Sequence, residues 1–101
     1  MDLVVLGSSN MDLIISLPRI PVVGETLLGG KSSMAFGGKG ANQAVASLRS
    51  GSKVAFITKV GNDYFGENMK NHFAREGFRT DLILTDAEEN TGIAQILVSE
   101  K

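Results

Sequence analysis

The sequence has no cysteine and no tryptophan, only two prolines and a single histidine. Without cysteine neither a disulfide framework nor a thiolate metal site can form, and a reducing cytoplasm is the simplest setting for such a chain. Long hydrophobic runs are missing as well: no stretch approaches the roughly 20 apolar residues that a membrane span requires. Asp2 stands where a signal peptide carries positive charge, and the apolar run that follows is too short for a secretory core. A large excess of either charge is also absent. The formal net charge of -1 supplies no long-range field to gather polyanions, so nucleic acid is not expected as a partner.

What remains is an ordinary globular composition, 43% apolar and 21% charged over 101 residues. A chain of that size makes at most one small domain, hiding about 60 to 65% of the surface it exposes when unfolded. Residues 2–6 are a short apolar run ending at Gly7 and predict a buried parallel strand. Residues 12–17 form a second run that stops at Pro18. Pro21, Gly24, Gly29 and Gly30 make residues 18–30 rich in turns, and Leu27 and Leu28 predict the start of another strand. Lys31, Ser32 and Ser33 read as a flap turn. Strands this close together in sequence predict an antiparallel flap.

From Lys39 the period changes. Ala41, Ala44, Val45 and Leu48 recur at helical spacing and Gly51 can supply a left-handed ending, which predicts a helix over about 40–50. Residues 53–60 predict a second parallel strand closed by Gly61. Asn62 or Asp63 can then cap a helix that buries Phe65, Met69 and Phe73 and ends at Gly77. Residues 81–84 predict a third parallel strand, and residues 91–98 alternate weakly enough to be buried or flap-like. The whole reads as α/β, with parallel strands, crossover helices and a small β lid. There is no internal repeat, linker or low-complexity segment.

Two clusters can carry chemistry. Gly37, Gly38, Lys39, Gly40, Ala41, Asn42, Gln43 and Ala44 form a glycine-rich turn opening into a helix. Helix-start amides together with Lys39 and Asn42 offer donors to hydroxyl or carbonyl oxygens. The glycines alone read equally well as a tight strand-to-helix turn. Named phosphate motifs fail here: after Gly24 and Gly29 the next residue is Gly30, not the lysine of a P-loop, and a dinucleotide fingerprint from Gly38 and Gly40 meets Gln43. The second cluster is Ser9, Asn10, Met11 and Asp12, just past the first strand, where open α/β sheets bind ligands. An ionised Asp12 can accept from two neighbouring sugar hydroxyls. Taken alone, Asp12 is better read as a turn residue bonding local backbone.

The joined spacing of these features resembles the ribokinase family, or PfkB carbohydrate kinases, across essentially all 101 residues. Gly37 and Gly38 through Gly40, Asn42, Ala44 and Gly51 to Gly61 fit the family's first signature. Asn10-x-Asp12, Pro-x-x-Gly-Glu-Thr at 21–26, Val60-Gly61-x-Asp63-x-x-Gly66 and Thr91-Gly92 are also similar. The wording Gly-Gly-Lys-Gly-Ala-Asn-Gln-Ala is closer to ribokinases than to fructokinases or nucleoside kinases.

The resemblance implies that Asn10 and Asp12 bind sugar hydroxyls, that Gly38, Lys39 and Asn42 close around the ring, and that Ala94 and Ile96 form an apolar wall. It implies a lid from about 12–36 and 91–98 that covers the sugar and makes a homodimer contact. ATP, Mg2+ and a monovalent cation would serve the full-length protein, with ribose the expected sugar and O5 the acceptor. Family members run about three times this length and carry a C-terminal Gly-Ala-Gly-Asp-type motif that this sequence lacks. The chain is therefore expected to be an N-terminal fragment of a ribokinase-like domain that binds no cofactor and is inactive alone. Ending at Lys101, it would leave a sheet edge open to self-association. The alternatives are a fructokinase or nucleoside kinase of the same family, or a noncatalytic sugar-binding or dimerisation remnant. His72 reads as a boundary residue without metal partners, and Asp86, Glu88 and Glu89 as a solvated turn.

Overall fold

A computed structural model describes residues 2–100. Among them, eight regular elements follow one another: β1 (Leu3–Leu6), β2 (Asn10–Leu17), β3 (Ser32–Gly37), α1 (Lys39–Arg49), β4 (Val54–Gly61), α2 (Tyr64–Glu76), β5 (Ile83–Asp86) and β6 (Gly92–Ser99). The strands divide into two sheets. A parallel sheet runs in the order β1-β4-β5, and a second sheet runs β3-β2-β6, with β2 antiparallel to β3 and parallel to β6.

The parallel sheet carries the core. Side chains alternate across a strand, so Val5, Phe56 and Val60 project to one face, and both helices lay their apolar sides there. Ala41 and Ala44 of α1 and Met69 and Phe73 of α2 are buried against it. Phe56 meets Phe73 edge to face at 5.3 Å and Phe78 at 5.7 Å, arrangements that aromatic quadrupoles favour. Burying each of these large side chains contributes roughly 1.5 to 3 kcal/mol. Arg49 on α1 pairs with Glu76 on α2, holding the helices side by side.

The helix ends follow the sequence closely. Asp63 caps α2, its Oδ1 accepting from the Gly66 amide at 2.8 Å, and Gly77 ends it in the left-handed conformation at φ 108°. Gly51, at φ 101°, plays the equivalent part just beyond α1.

Four expectations are corrected. β1 is parallel as expected, but only Val5 is buried. Val4 and Leu6 are 60% and 79% exposed, because the helices pack on the opposite face of the sheet. Leu27 and Leu28 start no strand. The stretch 18–31 stays irregular, pinned by the ion pair of Arg19 with Glu25 and by a turn in which the Glu25 amide donates to the Val22 carbonyl. The ladder begins where Ser16 N–H donates to Lys31 O at 2.9 Å, so Ser32 and Ser33 are strand rather than turn: pairing with Ile15 and Ile14 of β2 overrides their weak β propensity. Residues 80–82 form one 3-10 turn, and β5 starts only at Ile83, where pairing to Thr58 begins.

The second sheet stands off from the first. The radius of gyration is 16.0 Å with extents of 50 × 33 × 19 Å, against about 13 Å for a compact chain of this length.

Candidate functional site

β2 leaves the first sheet through Gly7, Ser8 and Ser9. Ser9 is anchored by a buried hydroxyl contact to Thr58 of β4 at 2.9 Å. Period-two alternation then puts Asn10 and Asp12 on one face of the lid sheet. The register adds their neighbours: Asn10 lies opposite Gly37 and Gly92, Asp12 opposite Ala35 and Ala94, and Ile14 opposite Ser33 and Ile96. Asn10, Asp12, Ala94 and Ile96 therefore share a face, and the residues between them are small.

On that face Asn10 Nδ2 donates to Asp12 Oδ1 at 2.7 Å. The Asp12 partner is thus a neighbouring side chain, not local backbone, and among the described residues its Oδ2 accepts no hydrogen bond. Gly37 makes room for the carboxylate, since a β-carbon at that position would lie 2.7 Å from Asp12 Oδ2. The next two glycines of the turn are required by packing. Gly38 has φ 103°, and a β-carbon there would sit 2.5 Å from Ser8 O; one on Gly40 would sit 2.6 Å from the Gly7 α-carbon. The close approach lets the Ala41 amide donate to Ser8 O at 3.1 Å, bolting the start of α1 to the end of β1.

Lys39 and Asn42 lie in the first turn of α1 and are exposed. That turn holds no acidic residue, so the positive end of the helix dipole is uncompensated beside the Asp12 face. Contacts join Asn10, Asp12 and Gly37 directly, and the register sets Ala94 beside Asp12 and Ile96 farther along the same face. Lys39 and Asn42 are linked to them through Gly38, whose carbonyl accepts from the Asn42 amide at 2.9 Å.

Two hollows are present among the described residues, and the second takes in Ile96 of this face. One of about 310 Å³ is lined by residues including Asn62, Glu67, Lys70 and Thr85, and one of about 470 Å³ by residues including Leu13, Met34 and Leu97 of the lid. Neither is lined by Asn10, Asp12 or Asn42.

The whole sequence, residues 1–101, matches the family described as pfkB family carbohydrate kinase. This chain belongs to that family. Among the family's ribokinases, the one from Haemophilus influenzae is 53% identical over 98 residues, covering 97% of this chain and 32% of its own length. A deoxyribokinase from Salmonella typhi is 39% identical over 99 residues, with 98% of this chain and 32% of the relative covered. The solved structure of Arabidopsis thaliana ribokinase complexed with ribose and ATP superposes with a TM-score of 0.90 at 29% identity, over 99% of this chain and 33% of that one. The chain spans about a third of the length of the curated relatives it matches, and the fold is that of the N-terminal part of ribokinase structures.

Within this pfkB chain the structure also brings together residues that the sequence left apart. Asp63 accepts from the Thr91 amide at 2.8 Å and the Thr91 hydroxyl at 2.7 Å, while Thr91 Oγ1 accepts from the Gly61 amide at 2.8 Å. The carboxyl is held below its ordinary range, chiefly by the Thr91 hydroxyl and then by the backbone amides. Nothing local in sequence joins positions 63 and 91. The sole signal was that both fall in separate family-like motifs. His72 stacks flat on Phe36 at 4.0 Å, a boundary position as expected, and burial pushes its imidazole down. Among the described residues no cluster of three or more His, Asp or Glu could hold a metal ion, and no helix is long and apolar enough to cross a membrane.

Proposed function

We propose that this chain forms the sugar-binding part of an ATP-dependent ribokinase-type enzyme, with ribose as the sugar and O5 as the phosphate acceptor. The observation that carries this reading is the Asn10–Asp12 pair: a half-buried carboxylate with one oxygen spent on Asn10 and the other unused, on a face kept clear by Gly37, Ala35 and Ala94. An unused carboxylate oxygen beside a side-chain amide suits vicinal hydroxyls, each charge-assisted bond contributing roughly 1.5 to 3 kcal/mol once water is excluded. Gly38, Lys39 and Asn42 approach the same ring from the helix start, and Ala94 and Ile96 supply its apolar wall.

The lid's role follows from the competition between sugar and water for the phosphoryl group: a sheet closing over the sugar excludes water. The same sheet makes the homodimer contact in this reading. ATP would bring the phosphoryl group and Mg2+ its charge neutralisation. The described residues gather no acidic cluster to hold Mg2+ or a monovalent cation, so those ligands are not assigned to this chain. Phosphoryl transfer depends mostly on positioning and on stabilising the phosphates, and this chain alone is expected to transfer no phosphate in its cytoplasmic setting.

The deoxyribokinase relative favours a second sugar, 2-deoxyribose, on the same framework. Calorimetric titration of the chain with ribose, 2-deoxyribose and fructose separates the readings. Ribose is expected to bind weakly, near the millimolar range, because only one side of the ring is held. Asp12→Ala should weaken that binding by about two decades, to below detection. Undiminished ribose binding in Asp12→Ala would remove Asp12 from the site, and stronger binding of fructose would replace ribose.

A further inference from the structure

Asp63 stands at the base of α2, on the opposite flank of the lid root from the glycine-rich turn. Its carboxylate is fully committed. Oδ1 accepts from the Gly66 amide and the Thr91 hydroxyl, and Oδ2 accepts from the Thr91 amide. The first of these bonds is a helix cap. The other two are unrelated to capping: they cross 28 residues of sequence to grip the residue that precedes β6. Thr91 is buried, 4% exposed, and its oxygen in turn takes the Gly61 amide. The close approach of Gly66 to Gly61, where a β-carbon would lie 2.0 Å from the Gly61 carbonyl oxygen, fixes the whole knot against the end of β4.

Immediately after Thr91, Gly92 lies in register with Asn10, and a β-carbon on Gly92 would come within 3.5 Å of the Asn10 β-carbon. Two positions later Ala94 lies beside Asp12. The height at which β6 enters the lid sheet therefore sets what flanks the Asn10–Asp12 pair, and Asp63 determines that height through Thr91. We propose that Asp63 is a positioning residue for the sugar-binding face: it touches no sugar, and it holds β6 so that Asn10 and Asp12 keep their geometry. This rests on the reading of Asn10 and Asp12 as sugar ligands, but the geometric half can be tested without sugar.

Asp63→Ser is the informative variant. Serine is itself a good helix cap, so the Gly66 amide keeps a partner, while its hydroxyl is too short to reach Thr91. Thr91→Val, with the shape retained, removes the hydroxyl bond to Asp63 and the acceptor of the Gly61 amide, and leaves the Thr91 amide bonded to Oδ2. Gly77→Ala, which strains the left-handed end of α2 far from the lid root, serves as the control for general loss of stability. Two-dimensional NMR of the chain then reports the Asn10 side-chain amide and the exchange of β6 amides. Asp63→Ser and Thr91→Val should each move the Asn10 side-chain signal and speed β6 exchange roughly tenfold or more. Gly77→Ala, compared at an equal margin below its own melting temperature, should do neither. An unmoved Asn10 signal in both test variants, or an equal movement in the control, overturns the proposal. Ribose titration of the same samples is a separate arm: loss of ribose response in the two variants and not in the control supports positioning. No ribose response in the unsubstituted chain would overturn the sugar assignment while the amide signals still decide the geometric claim.

Discussion

Two carboxylates at the root of the lid do different work, and the difference is a matter of unspent lone pairs. Asp63 has both oxygens committed to donors within the chain, whereas Asp12 keeps Oδ2 available after accepting from Asn10. A third carboxylate, Asp86, shows what full commitment does to titration. The Glu89 and Glu88 amides, in that order of effect, and then Lys59 hold its pKa down to about 2 from 3.8. A depressed folded-state value means that Asp86 stabilises the fold fully above the unfolded value of 3.8 and that this contribution disappears as pH falls through about 2. Urea unfolding should therefore show Asp86→Asn clearly less stable than the unsubstituted chain near pH 5, with the gap closing toward pH 2. A gap independent of pH would mean that the Asp86 charge does not matter.

Among the elements, the meeting of α1 with β1 is the tightest. Alanine is favoured over glycine inside a helix by about 1 kcal/mol, which would make Gly40→Ala look harmless. The Gly7 backbone stands in the way, only 2.6 Å from the new methyl group, and backbone has no rotamer with which to escape. Overpacking of this kind costs typically 1 to 3 kcal/mol and occasionally more, so after the helix gain the variant should lose about 1 kcal/mol net or more in chemical denaturation. An unchanged midpoint would show that α1 can slide away from β1.

This contact also marks where sequence stopped being informative. Both helices, a cap at Asn62 or Asp63, the ending at Gly77 and the presence of the parallel strands were legible, because each rests on a local period or a single punctuating residue. The flap boundaries were not: serines at 32 and 33 become strand only because β2 offers them backbone partners from 17 and 19 residues away. In the candidate site, position after the first strand singled out Asn10 and Asp12, but by itself it favoured a turn residue at 12, and only the family resemblance pointed to a sugar ligand. The glycines of the turn were ambiguous for a good reason, since Gly38 and Gly40 answer to the crowding of Ser8 and Gly7 and Gly37 answers to Asp12. The Asp63–Thr91 link was invisible because long-range hydrogen bonds leave no periodic trace.

At the scale of the whole molecule, exposed apolar side chains among the described residues include groups on both sheets. Val4, Leu6 and Leu84 are exposed on the helix-free face of the parallel sheet, and Met34, Leu97 and Ile93 on the lid. If the lid makes the dimer contact, Leu97→Asp should convert dimer to monomer in sedimentation velocity, and Leu6→Asp should leave the dimer intact while reducing larger species. The reverse pattern would move the contact to the parallel sheet.

The backbone passes between the two sheets at three places, and the register shows that they are level: Gly37, Asn10 and Gly92 lie side by side in one row. Rotation about the line through that row would keep the lid ladder beyond it paired, but would also have to unpack Met11, Leu13 and Phe36 from the core and Phe36 from His72. Such an arrangement has the mechanics of a door hung on three aligned pins, latched shut where Phe36 lies on His72.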